Sequence, residues 1–317
     1  MKVDRQSSLQ GAAHYGLDLD TLRFLGGEDG DVYEGVDATG PFIFKLVPVT
    51  EGQVPRLLDK LAFACYLGEH GVRVALPLPS PQGAWVEVLQ RGEAMVAATK
   101  VAKVPGRHPS TSDPREWNTA LFSKWGRVVG RMHALAQRYE GGADIGDWEG
   151  ELISMVDWCH DPEVKVRWER MHDHLASLPR PPDAYGLIHN DLHMFNFMVH
   201  LGEIYVFDFD VCNHHWFMTD IGIAVFHALW AEEGGRSMSR KDFARGFLDS
   251  FMEGYEQENH LDEVWLRELP TFLKYRQLLL HTVFADSWGG ADGQAWQRRW
   301  VRDTRERIVR DEPVADL

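Results

Sequence analysis

Over the first hundred residues, short runs alternate apolar and polar side chains, and later the chain turns to long runs with apolar positions three and four apart. Alternation is the mark of a half-buried strand, and the three-four spacing is that of an amphipathic helix. Asp31–Val36 and Gly40–Val47 are expected to be strands joined by the turn-prone Asp37-Ala-Thr-Gly40. Leu57, Leu58, Leu61, Ala62 and Cys65 share one face of a helix expected over Val54–Glu69, with Gly71 as its stop signal. Ala84–Leu89 and Ala94–Val101 read as two further strands. Beyond Val104-Pro-Gly-Arg107 helices are expected at Arg115–Tyr139, Val164–Leu178, Asp220–Glu233, Arg240–Gln257 and Leu261–Ala285, with one β interruption near 196–209. A last helix should carry Trp296 and Trp300 on a packed face and the arginines of Arg298–Arg310 on a solvated one. The pattern predicts an α+β chain: a β-rich lobe over 1–98, a connector at 99–104, and a larger helical lobe over 105–317.

Composition narrows the function classes. With 33 Lys+Arg against 48 Asp+Glu the formal charge is −15, which argues against a nucleic-acid partner, since such binding rests on neutralising phosphates. The longest uncharged stretch, Val74–Val86, has 13 residues and three prolines, short of the roughly 20 apolar residues a membrane helix needs. The first ten residues lack the apolar run of a secretory signal, and the 3 cysteines form no C-x-x-C pair. A soluble, cytoplasmic setting is the expectation.

The chemistry concentrates in Leu187–Asp210. Leu201-Gly202 reads as a hairpin turn, and folding the chain there puts Asn196 opposite Phe207 or Asp208. An amide oxygen and a carboxylate then meet beside a third acid, Asp191, which precedes Asn196 by five residues. Two converging oxygen ligands suit Mg²⁺, whose shell is otherwise filled by water and phosphate oxygens. Asp191 is left to accept a proton, the division of labour used in kinase phosphoryl transfer. That logic asks for a glycine-rich turn and a lysine upstream. Gly26, Gly27 and Gly30 supply the turn, and Lys45 sits inside an apolar strand where it needs an anionic partner such as nucleotide phosphates. A histidine metal cluster of hydrolase type, from His189, Asp191, His193, His214 and His215, is the competing reading; it has no use for Lys45 or the glycines.

Taken in order, these residues resemble the aminoglycoside phosphotransferase and choline kinase-like family, which has a protein-kinase-like bilobal fold. His189-Asn-Asp-Leu-His-Met-Phe-Asn196 matches the family's H-x-D-x-x-x-x-N motif, Asp208-Phe-Asp210 its D-x-D, and Val104–Arg107 its post-hinge segment. The resemblance implies Asp191 as catalytic base or hydroxyl-orienting group, Asn196 and Asp208 as Mg²⁺ ligands, and Lys45 on the phosphates of ATP, with GTP a possibility. It further implies that Thr99 to Val101 meet the adenine and that Asp220 supports the catalytic loop. The family's glutamate partner for the lysine aligns with Lys60, so Asp59 beside it, or else Glu51, is expected to take that part. Asp220 follows Asp208 by only 12 positions, too few for a long peptide-docking segment. A small hydroxyl acceptor, aminoglycoside-, homoserine- or choline-like, therefore follows more naturally than a protein serine or threonine or a non-catalytic scaffold. Trp288 is a candidate for the acceptor pocket.

Overall fold

The computed structural model describes residues 3–27, 30–91, 94–232, 239–291 and 293–315. Glu233, the expected end of one helix, lies outside them. Two compact units are present: residues 1–107, 139–145 and 198–210 form one, and residues 108–138, 146–197 and 211–317 the other.

The first unit is built on an antiparallel sheet of strands β1 (Arg23–Gly26), β2 (Asp31–Asp37), β3 (Gly40–Val49), β4 (Val86–Arg91) and β5 (Ala94–Ala102), in the order β1-β2-β3-β5-β4. Helix α1 (Arg5–His14) was not signalled by the sequence, because what it buries is Ser7, Ser8, Gly11 and Ala12, without an apolar stripe. Small residues are what the site allows: a Cβ on Gly11 would stand 2.5 Å from Leu46 Cδ2. Ala12 and Tyr15 join Phe42, Phe44, Leu46 and Ala98 in the core on that side of the sheet. Helix α2 (Gln53–Glu69) is where the spacing put it, but it buries Phe63, Ala64 and Leu67 in place of the expected face, whose Leu57, Leu61, Ala62 and Cys65 are half-buried and whose Leu58 is exposed. The hairpin of β7 (Phe197–His200) and β8 (Glu203–Val206) has the two-residue loop read from sequence, with Leu201 and Gly202 both at positive φ (50° and 77°). It is tied in by Ala75 N–H to Val206 O (2.9 Å) and Val206 N–H to Arg73 O (2.8 Å).

The second unit holds helices α3 (Thr119–Ala136), α4 (Trp148–Trp158), α5 (Pro162–Ser177), α6 (Phe217–Ala231), α7 (Arg240–Tyr255), α8 (Glu263–Leu266), α9 (Leu269–Gly289) and α10 (Ala295–Val309), with β6 (Tyr185–Ile188) paired antiparallel to β9 (Asn213–Trp216). The single helix expected over Leu261–Ala285 is two. Pro270 lacks an N–H and sits in the first turn of α9, where no intrahelical donor is required. Helices α3 and α7 approach closely at glycines: a Cβ on Gly126 would lie 1.8 Å from Phe251 O, and one on Gly254 1.8 Å from Ser123 O. No helix among the described residues is long and apolar enough to cross a membrane.

Candidate active site

In the first unit the candidate residues gather on β3. Strand register sets Lys45 between Val32 and Thr99. Its Nζ donates to Asp208 Oδ1 (2.7 Å) and Asp210 Oδ2 (3.0 Å). Burial disfavours the ammonium, but Asp210 and Asp208 outweigh it and hold Lys45 above its usual range. For Asp210, burial pushes the carboxyl up, and Lys45 and then Lys60 more than reverse it. Lys60 on α2 donates to the Asp210 backbone carbonyl. Asp59 is not the lysine's partner here: its carboxylate accepts the Asp144 N–H at 3.0 Å. The acid that faces Lys45 comes from the segment after β8, and α2 contributes a second cation where a glutamate was expected.

The glycine turn is tight. A Cβ on Gly27 (φ +148°) would lie 2.0 Å from Gly30 O, and one on Gly30 2.2 Å from Leu46 O, so neither position accepts a side chain. Gly26 (φ +112°) ends β1. Thr99 and Val101 are interior to β5 and not in a connector. Lys100 O accepts from Leu78 N–H and Ala102 N–H donates to Leu76 O, so alternation turns the polar backbone of Thr99 and Val101 toward β3, where they face Lys45 and Ile43. That backbone is committed to the ladder.

In the second unit the loop between β6 and β7 is pinned by Asp220, fully buried in the first turn of α6. Its carboxylate accepts the N–H groups of Asn190 (2.8 Å) and His189 (3.0 Å), and stands 3.2 Å from His133 Nε2. Burial raises its proton affinity; His133 and the loop outweigh that and keep it ionised. Asn190, at φ 64°, gives its amide to Glu151 and to Val211 O. Glu151 also accepts from Asn213 (3.2 Å) and the Tyr275 hydroxyl (2.5 Å), a buried net that fixes the loop's floor.

Asp191 stands on this frame. Its Oδ2 accepts from Asn196 Nδ2 at 2.8 Å, and the same nitrogen donates to Asp191 O at 2.8 Å. With the amide nitrogen so used, the oxygen of Asn196 is the atom left for a cation. Asp191 Oδ1 accepts from Arg276 Nη2. Burial pushes the Asp191 carboxyl up, but Arg276 and then His193 bring it well below the usual carboxylate range. Arg276 is 5% exposed and also directs Nη2 (2.9 Å) and Nε (3.2 Å) at His227 Nε2. That nitrogen must therefore be an acceptor, and burial with Arg276 alongside keeps His227 neutral.

Asp191, His193 and His227 do place potential ligand atoms within 4.8 Å of one another. A guanidinium already donating to two of the three is incompatible with a metal there, which disfavours the hydrolase reading. His214 and His215 lie on β9, and His215 is wholly buried, with its Nδ1 on Thr219 Oγ1 at 2.7 Å. Arg276, His227 and Glu151 were not singled out from sequence, and Asp210 and Lys60 were noted there without the contacts they make. Arg276 had no clear local signal, since Lys274 and Gln277 also interrupt the apolar positions of Phe272–Leu280.

Comparison with known proteins agrees with this geometry. Residues 20–269 match the model of the phosphotransferase enzyme family. An amicoumacin kinase of Bacillus subtilis (strain 168) is 32% identical over 285 residues, covering 88% of this chain and 84% of the relative. A solved amicoumacin kinase in complex with AMP-PNP, Ca²⁺ and Ami superposes with a TM-score of 0.91 at 30% identity, over 99% of this chain and 96% of that one. A microcompartment-associated aminopropanol kinase shares the fold, with a TM-score of 0.69 at 19% identity over 97% and 98% of the two chains. This chain belongs to the phosphotransferase enzyme family and is a kinase with an alcohol group as acceptor.

Proposed function

We propose that the protein transfers the γ-phosphate of ATP to a hydroxyl group of a small molecule. The observation that carries this reading is Asp191: a loop carboxylate fixed by Asn196 and Arg276 and supported from beneath by Asp220 and Glu151. Such a group orients an attacking hydroxyl. Lys45 is the residue for the nucleotide phosphates, held charged and extended from β3 by Asp208 and Asp210. Asn196 and Asp208 supply oxygen donors suited to Mg²⁺, which when bound neutralises phosphate charge. The glycines at 26, 27 and 30 put no side chain of their own between phosphate oxygens and their backbone N–H groups. The base-recognising backbone falls just past β5: Val104 follows the ladder, and its N–H and C=O make no backbone hydrogen bond among the described residues.

The amicoumacin and aminopropanol kinases point to an acceptor that carries an amine near its hydroxyl, which the chain's net charge of −15 favours at long range. The test is Mg²⁺-dependent ATP consumption with amicoumacin, 1-aminopropan-2-ol, homoserine, choline and an aminoglycoside. Acceptor-stimulated turnover should fall at least a thousandfold in Asp191→Asn, while ATP affinity stays within about threefold of the parent. Undiminished turnover in that variant would remove Asp191 from the reaction.

A further inference from the structure

Helix α9 faces the loop of Asp191 through Arg276 and reaches Glu151 through Tyr275. Another side of the same helix closes a cavity of about 310 Å³ against α5 and the end of α10. Thr271, Lys274, Gln277 and Leu278 line it, spaced so that they share one side of α9, with Arg276 outside that arc. No lining residue comes from α6, β9 or the loop that carries Asp191, and all of them belong to the second unit. Trp288, the candidate from sequence for the acceptor pocket, is stacked on Phe284 (3.9 Å) and is not among them. The floor is apolar: Met171, Leu278 and Ile308 are buried. Ile308 reaches it because α10 turns Thr304 and Ile308 inward and not the tryptophan face that the spacing suggested; Trp296 is 52% exposed.

Two features of this cavity point to a ligand. Gln277 is 5% exposed, and its amide makes no hydrogen bond among the described residues. A buried amide without a partner is costly and rare in native proteins, so its partner has to come from within the cavity. The other feature is charge. Arg167 and Arg170 follow each other on one side of α5. Arg167 gives Nη2 to the neutral Val309 O, and Arg170 has no hydrogen bond or ion pair among the described residues. Lys274 pairs with Asp311 at 2.6 Å; Lys274 first, then Arg167 and Arg170, hold that carboxyl below its ordinary range against burial. Glu312 is paired with Arg310 at 3.6 Å, and Glu268, outside the lining, accepts from His174 and Thr271 at 2.9 Å each. Three cations against two acids leave the lining net positive in a chain of charge −15.

We propose that this cavity binds a small organic monocarboxylate with an apolar body, the carboxylate held by Arg170, Arg167 and the Gln277 amide and the hydrocarbon lying on Met171, Leu278 and Ile308. A guanidinium fork matches a carboxylate in shape and charge. The volume stands at the low end of ligand pockets, which run from roughly 300 to 1,000 Å³. One surplus positive charge suits a monoanion, whereas a nucleotide or polyphosphate would bring several negative charges against Asp311 and Glu312. The site is separate from the phosphoryl-transfer reading and does not rest on the role given to Asp191.

Calorimetric titration of the full chain with hexanoate, acetate, 1-hexanol and inorganic phosphate tests it. Hexanoate carries both parts, acetate only the charge and 1-hexanol only the chain. Hexanoate should bind at least tenfold more tightly than any of the other three. Arg170→Gln, at an exposed position, should weaken hexanoate at least tenfold, and Gln277→Met at least threefold. Arg302→Gln, on α10 outside the cavity, should leave the affinity within twofold. Asp191→Asn should leave it within twofold as well, which separates this cavity from the active site. Melting temperatures report whether each variant folds, and if Gln277→Met does not, Arg170→Gln carries the comparison. No saturable binding of hexanoate, equal affinity for 1-hexanol or phosphate, affinity that survives Arg170→Gln, or affinity lost in Asp191→Asn overturns the proposal. Because the readout is binding, it can fail while Asp191-dependent ATP turnover persists, and turnover can be absent while the affinity for hexanoate stands.

Discussion

Arg276→Met is the substitution whose consequence the geometry constrains most tightly. Methionine keeps most of the apolar stem and removes the charge and the donors. What remains is the Asp191 carboxylate, with a side chain 27% exposed, and a His227 that has lost both donors to Nε2. Breaking a buried ion pair by removing one member costs about 3 kcal/mol at the low end, which suits a carboxylate that keeps some contact with water. The pH dependence has a definite sign. In the parent protein the depressed Asp191 value contributes stability above the ordinary carboxylate range, near pH 4, and loses it as the pH falls through that range. In the variant burial of the carboxyl is opposed chiefly by His193, so the folded-state value rises from its depressed position toward the unfolded one. Burial still holds His227 neutral, less firmly without Arg276. Destabilisation is therefore greatest at neutral pH and shrinks as the pH falls through the ordinary carboxylate range, near pH 4.

The assay is urea denaturation followed by tryptophan fluorescence at pH 7.5 and at about pH 4, for the parent, Arg276→Met, Asp191→Asn and the double variant. Removing both charges should recover at least half of the loss seen in Arg276→Met alone, since no buried carboxylate is then left unpaired. In kinetics, kcat/KM for Arg276→Met should acquire an acid limb at a higher pH than in the parent. A loss below about 1 kcal/mol, the same loss at both pH values, or full additivity in the double variant would refute the reasoning.

Asp220→Asn replaces an acceptor by an amide whose NH₂ group must confront the N–H groups of His189 and Asn190; stability should fall by about 2 kcal/mol, and kcat at least tenfold, with the KM for ATP little changed. Circular dichroism melts and steady-state kinetics check both. Gly254→Ala puts a methyl 1.8 Å from Ser123 O where α3 and α7 meet, and should lower stability by about 2–3 kcal/mol without altering the acceptor profile of the enzyme that still folds. Gly246→Ala on the same helix, where a Cβ meets nothing within 4 Å, should be neutral or slightly stabilising and serves as its control.

Local signals in the sequence had counterparts in the fold wherever the chain's own neighbours determined the structure. The β7–β8 hairpin was legible because Leu201-Gly202 is a two-residue turn between β-rich arms; the extent of α2 was legible too, though not the face it buries. Non-local features were not legible. Strands β6 and β9 are four residues each and pair Tyr185 with Trp216 across the whole catalytic segment. Helix α1 docks through serines, a glycine and an alanine, so nothing in its composition announces a buried face. The partner of Lys45 was sought on α2 by position, whereas it lies 163 and 165 residues away, on Asp208 and Asp210. Arg276 is in the same class: with Lys274 two residues before it on α9, nothing local tells the buried cation from the half-buried one, and its anion follows from the docking of α9 beside the loop.

The bonds around Asp191 also bear on the part it would play in the proposed reaction. A strong general base has a pKa near the working pH, and Asp191 is driven the other way by Arg276 and His193. A carboxylate so stabilised has little affinity for the hydroxyl proton before the bond to phosphorus forms. In a loose phosphoryl-transfer transition state the hydroxyl carries little charge until late, and early deprotonation gains little. What the reaction needs from the protein at that stage is a fixed acceptor oxygen. Asn196 and Arg276 hold the two oxygens of Asp191 from different directions, and Asp220 and Glu151 hold the backbone and side chain of the residue before it. The arrangement thus trades basicity for position: in the proposed reaction Asp191 orients the hydroxyl and accepts its proton only late, as the bond to phosphorus forms.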